Sequence, residues 1–340
     1  MNNYPYYNPY GGYNPQQYQE QYRKIQQQNN EKRQFRKRSM LVALGIILFL
    51  VISYGISFII YADKRLGKLY LDNTSFSLCF DIITTVVSMF GAYLIIRALI
   101  DRKHTAFIPL GLPENKKRAF LLVPFGILAC ISGSYATYYM DSALESIFNV
   151  TFTQPEISEP KTPIELGFYL MASVLVPCIF EEIALRAGAL EALRKYGDWF
   201  AIIASAFVFA ILHGNMVQTP FAFVAGVAIG YIYVVTGSIW PGVAIHFINN
   251  LASCSSEIGT VFGISDAVIE SFYGIYLAVF VVAGTVCFII YLFDKNRPKL
   301  NKDTSTLTLS QKITGFIINV PMIASILYMG FITSMYIERK

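Results

Sequence analysis

The sequence is short of charge. Asp, Glu, Lys and Arg make up 14% of its 340 residues while hydrophobic residues make up 54%. Soluble domains carry roughly 25% charge, so this balance excludes an ordinary soluble enzyme and points to a chain that lives mostly in lipid. Histidine is scarcer still: His104, His213 and His246 are the only three. The five cysteines (Cys79, Cys130, Cys178, Cys254, Cys287) lie singly within apolar runs, with no CxxC pair. That excludes a disulfide framework and a zinc knuckle and leaves them as small buried hydrophobes. There is no HExxH, and no serine or cysteine stands at triad spacing from a base. Cys178, three residues before Glu181, reads as a packing residue. The net charge of +5 gathers near the ends of apolar runs. That suits membrane topology and lipid headgroups better than a nucleic-acid partner.

Residues 1–38 lack an aliphatic stripe. "MNNYPYYNPYGGYNPQQYQEQYRKIQQQNN" is rich in Tyr, Gln and Asn, buries too little apolar area to offset its chain entropy, and predicts a disordered cytoplasmic tail. It ends in the basic block "EKRQFRKR", a topology signal that also meets lipid headgroups. A signal peptide is not expected, because the first apolar run lies too far in and is too long. Residues 39–340 then read as one transmembrane domain. Apolar runs at 40–62, 76–100, 119–140, 163–195, 199–217, 219–236, 240–256, 271–293 and 313–336 predict an all-α, polytopic helical bundle of about eight or nine spans. The loops at 102–118, 191–198 and 294–303 are basic, and those at 141–160 and 255–271 are acidic or neutral. The positive-inside rule therefore predicts a cytoplasmic N-terminus in the cell membrane, with "DKRLGK" at 63–68 running against it. His104 falls in a basic loop and reads as a surface residue.

Three polar clusters interrupt the apolar runs. A charge at the bilayer centre costs about 2.5–3.5 kcal/mol on insertion scales, so each is a candidate for function. In "CIFEEIALRAG", Glu182 and Arg186 are four apart and can pair on one helix face. Glu181 is turned about 100° away and has no partner on its own helix. "FVFAILHGN" places Phe209 and His213 four apart, and "AIHFINN" does the same for His246 and Asn250. A lone intramembrane histidine can be an interhelical anchor. Two of them, with an unpaired Glu and an Asn in successive spans, point to a site. At 1.5 Å per residue, Glu181 lies ~22 Å, His213 ~20 Å and His246 ~8 Å from the cytoplasmic ends of their helices. His246 joins the others only if "GSIWPG" enters the bundle below the headgroups.

A carboxylate beside a neutral imidazole can hold and deprotonate water. A second histidine and an asparagine amide can donate to the oxyanion of a tetrahedral intermediate. Two His and a Glu are also a catalytic zinc set, here His213, His246 and Glu181. The residue types favour the metal-free version, since the histidines come from separate helices and no HExxH is present.

EExxxR at 181–186, FxxxH at 209–213 and HxxxN at 246–250, in that order, resemble the CPBP family of intramembrane proteases. This is the CAAX-protease and bacteriocin-processing group, also called Abi or Rce1-like. The resemblance covers roughly residues 119–293 and centres on a catalytic core at 163–256. It implies a core of about eight helices and a metal-free glutamate endopeptidase, although the family was long described as metalloproteases. It implies Glu181 as general base acting with His213, His246 and Asn250 as the oxyanion site, Glu182 and Arg186 in support, and Phe209 as packing. The implied substrate is a membrane-tethered protein or peptide, with the cut expected near the cytoplasmic half of the bilayer. A non-catalytic immunity or scaffold protein of the same fold is the competing class. A transporter ranks last, because no inverted repeat or broken-helix pair shows.

Overall fold

The computed structural model describes residues 15–100, 108–155 and 157–340; His104 and residues 1–14 lie outside them. The chain forms α1 (Pro15–Ala62), α2 (Lys64–Asp72), α3 (Thr74–Leu99), α4 (Lys116–Phe148), α5 (Pro163–Tyr196), α6 (Asp198–Leu212), α7 (Thr219–Thr236) and α8 (Trp240–Ser253). There follow α9 (Ser255–Phe262), α10 (Asp266–Leu292), α11 (Leu309–Ile317) and α12 (Val320–Met335). A two-stranded antiparallel ribbon, β1 (Val150–Phe152) with β2 (Ile337–Arg339), sets Thr151 opposite Glu338. The architecture is an all-α, polytopic membrane bundle. Its largest buried apolar cluster joins α1, α3, α5, α6 and α7 through Ile46, Tyr93, Leu190, Ile202 and Tyr233.

Among the described residues, six helices are long and apolar enough to cross a membrane (α1, α3, α4, α5, α7 and α10). A seventh crossing arises if α11 and α12, bent by 65°, act as one. The expected spans at 199–217 and 240–256 are shorter than the runs suggested: α6 has 15 residues and α8 has 14. Their lengths of ~22 and ~21 Å fall short of the ~30 Å hydrocarbon layer. Both are shielded by protein, with Ala201, Ile202 and Ala206 of α6 and Gly242, Ile245 and His246 of α8 buried. An apolar run does not tell lipid from protein neighbours.

The expectation of disorder over residues 1–38 differs from the structure at residues 15–38, which are helical and continuous with the first span. The burial comes from single anchors rather than a stripe. Phe35, within the basic block, is 1% exposed and meets the Tyr196 ring edge-on at 4.7 Å. Arg38 donates to the Ala192 carbonyl at 3.0 Å.

The bundle has two unlike ends. The start of α4, the end of α5 and the loop after α10 meet at one of them. There Arg118 pairs with Asp294 at 3.3 Å, and the Asn301 amide donates to Asp198 at 2.7 Å. Lys116, Lys117, Lys195, Lys295 and Arg297 make this the basic face. The opposite end carries the β1–β2 ribbon, the start of α5 and α9, and is the ribbon face.

Candidate active site

The candidate site begins in an irregular stretch of α5. Widened, π-type turns at Met171–Leu175 and Ile183–Leu190 bracket Glu181 and Glu182. Such turns add a residue to the helix repeat and re-aim the side chains around them. Glu182 and Arg186 form the pair their spacing predicts, with Arg186 Nε 3.2 Å from Glu182 Oε2 and both side chains fully buried. Removing two charges from water is costly, so such a pair persists only with good company. Arg186 finds some in Phe209, whose ring centroid lies 5.3 Å from its guanidinium carbon.

Glu182 has a second neighbour that its own helix did not reveal. His246 Nδ1 lies 3.5 Å from Glu182 Oε1, and His246 Nε2 lies 3.7 Å from Glu181 Oε2. One imidazole therefore stands between the two adjacent carboxylates. The start of α8 reaches this depth because the turn before it is buried. Ser238 is fully buried and donates to the Gly111 carbonyl at 2.6 Å, while Trp240 Nε1 donates to Leu110 at 2.8 Å. The stretch "GSIWPG" thus enters the bundle. Gly242 completes the approach: a Cβ there would stand 2.7 Å from Ile229 Cγ2 and 3.0 Å from Glu182 Oε2. A side chain there would push Ile229 or Glu182 aside.

His213 follows the last turn of α6. Its Nδ1 is 2.9 Å from the Phe209 carbonyl, an atom that can only accept. Nδ1 therefore carries the proton, and in the neutral ring the lone pair lies on Nε2. The Phe209 ring is edge-on to His213 at 4.9 Å and to His246 at 5.9 Å. The position expected merely to pack is a wall shared by Arg186 and both histidines. Asn250 donates through Nδ2 to the Ser173 carbonyl, 3.1 Å away in the first widened turn. Its amide retains a second N–H.

Glu181, His213, His246 and Asn250 line one cavity of about 900 Å³. Sequence reasoning missed several of its companions. Asn249 and Ser173 line the same space. Asn215, fully buried, clamps the turn after His213 by donating to the His213 carbonyl at 2.9 Å and to Gln218 at 3.0 Å. A second Asn in "FINN" and the Asn in "HGN" were the available signals. The cavity extends from Glu181 to Asp141, Glu145, Phe152, Gln154 and Glu257 at the ribbon face. The cut expected near the half with the basic loops is thus met by a cavity that reaches the opposite end.

Among the described residues, no group of three or more His, Cys, Asp or Glu side chains is arranged to share a metal ion.

Residues 163–252 match the family model described as Type II CAAX prenyl endopeptidase Rce1-like. The matched segment runs from the start of α5 to the last turn of α8 and contains every candidate site residue. No curated protein and no solved structure matches the chain.

Proposed function

We propose, from the match of residues 163–252 to the Rce1-like family of CAAX endopeptidases, that the protein hydrolyses a peptide bond of a membrane-tethered protein or peptide with water activated by Glu181 and His213. The observation that carries this reading is the convergence of Glu181, His213, His246 and Asn250 on one cavity. Water held by Glu181 and by Nε2 of His213 attacks the scissile carbonyl carbon as Glu181 takes its proton. The carbonyl oxygen becomes an oxyanion that receives hydrogen bonds from His246, on the cavity side of its ring, and from the free N–H of Asn250. As the C–N bond breaks, the proton held by Glu181 passes to the leaving amine. Arg186 and Glu182 touch no substrate. They hold the ring of His246.

We place the protein in the cell membrane with the basic face cytoplasmic, as the positive-inside rule favours, so that the cavity faces the other compartment. The reading uses no metal. It is tested with purified full-length protein in liposomes, following peptide release by mass spectrometry. Glu181→Gln and His213→Ala should each lower release by about 10²–10⁴-fold, the usual worth of a general base. Excess chelator should leave the rate unchanged. Undiminished release in both variants overturns the proposal. Loss of activity in chelator with restoration by zinc replaces it with the zinc version. Substrate retention without product at any time indicates the immunity or scaffold class.

A further inference from the structure

The cavity described above is acidic along its whole length. Besides Glu181 it is lined by Asp141 at the end of α4, Glu145 one turn later and Glu257 in α9, and among the described residues no Lys or Arg lines it. Lys116, Lys117, Lys195, Lys295 and Arg297 lie instead at the opposite end, and the cations nearest the ribbon, Lys161, Arg339 and Lys340, stand outside the lining. Two carboxylate oxygens in the cavity lack a protein donor. Asp141 Oδ1 and Glu257 Oε2 are buried and accept no hydrogen bond. His246, 8% exposed, lines the same space, and its Nδ1 makes no hydrogen bond although it faces Glu182. A cation from the chain itself already reaches the rim: the register of β2 on β1 brings Lys340 Nζ to 3.4 Å from Glu145 Oε2.

We propose that this cavity selects a peptide segment bearing Lys or Arg, presented from the ribbon face, over a neutral or acidic one. The proposal rests on the protease reading of the same cavity. Carboxylates on low-dielectric walls focus their field into the space between them and concentrate cations there. A Lys or Arg side chain supplies donors to Asp141 Oδ1 and Glu257 Oε2, while the Tyr169 hydroxyl already bonds the Glu257 side chain. Tyr138, Tyr169, Phe152 and Phe221, also in the lining, give its methylene stem apolar faces and its charged head aromatic ones. An acidic segment meets like charge along the whole path.

The test uses the full chain carrying Glu181→Gln, held in phosphatidylcholine nanodiscs so that the bilayer has no net charge. Two fluorescent peptides share one apolar stretch and differ only in lysine or glutamate flanks. The lysine peptide should bind about tenfold or more tightly, with a preference that shrinks at high salt. The double change Asp141→Asn and Glu257→Gln should bring the ratio close to one without lowering the thermal midpoint. Lys340→Ala, which removes the competing ammonium, should tighten the lysine peptide about twofold and serves as a second reading independent of the double variant. Equal binding, tighter binding of the glutamate peptide, binding of neither, or a preference that the double variant leaves intact would overturn the proposal. Cleavage is read separately with Glu181 restored. A lysine preference without cleavage of either peptide counts against the protease reading alone, and equal cleavage of both counts against the charge preference alone.

Discussion

His246 stands between Glu181 and Glu182, 3.7 Å from one carboxylate and 3.5 Å from the other. This ring connects the buried ion pair to the cavity. Arg186 fixes Glu182, Glu182 faces Nδ1 of His246, and the opposite edge of the ring meets the carboxylate assigned to the attacking water. A charge pair that looks purely structural therefore also sets where the proposed reacting groups sit.

Stability and activity should separate at this pair. Arg186→Met leaves Glu182 buried without a counter-charge and should cost about 3–5 kcal/mol. Adding Glu182→Gln removes the stranded charge and should recover most of that loss. Activity should not return with it, because Nδ1 of His246 no longer faces a carboxylate. Thermal unfolding and peptide release, measured on the single and double variants, check both halves.

Gly242→Ala places a methyl 2.7 Å from Ile229 Cγ2 and 3.0 Å from Glu182 Oε2. Overpacking of this kind costs about 1–3 kcal/mol. Since α8 carries both His246 and Asn250, release should fall further than stability does. Ile229→Ala in the same chain should restore part of the activity, and no recovery would point to the Glu182 contact.

Asn250→Ala removes the proposed oxyanion donor together with the hydrogen bond to Ser173. The rate constant for release should fall about 10²–10³-fold, as for other oxyanion donors. Thermal stability should change by only about 1 kcal/mol, the net worth of one hydrogen bond. An Asn250→Ala protein that cleaves normally removes this residue from the site.

Much of the site was legible because its residues are rare where they occur. Two of three histidines fall in apolar runs, Glu182 and Arg186 announce their pairing by spacing, and Glu181 stands out by having no local partner. The contact of His246 with both carboxylates was not legible. It depends on how deeply the α7–α8 turn enters the bundle, which the carbonyls of Leu110 and Gly111 fix from a distant loop. The all-α, membrane-embedded class followed from the apolar runs, but the status of α6 and α8 did not, since hydropathy carries no information on the neighbour. Residues 15–38 hid their helix for a related reason: Phe35 and Arg38 supply the anchoring where no periodic stripe exists. The end at which the cavity emerges required the packed structure.

One pH effect lies outside the membrane-spanning segments. Burial raises the Asp303 carboxyl, but hydrogen bonds from Lys312 and Ser305 outweigh it and hold the group below the usual carboxylate range. Lys312 also donates to the Tyr196 carbonyl at 2.7 Å, tying α11 to the end of α5. A depressed carboxyl stabilises the fold above its unfolded value of about 3.9 and loses that contribution as pH falls through the folded value. The thermal midpoint should therefore drop below about pH 4, and Asp303→Asn should flatten that part of the profile. A profile unchanged by Asp303→Asn would remove this contact from the acid sensitivity.

Everything proposed for the site turns on Glu181 as the catalytic carboxylate of a peptide hydrolase. The most direct measurement compares the peptides recovered from membranes holding the wild-type chain with those from membranes holding Glu181→Gln at equal abundance. A set of new peptide ends should be present with the wild type and absent with the variant. Identical sets of peptides from both membranes would contradict that role for Glu181.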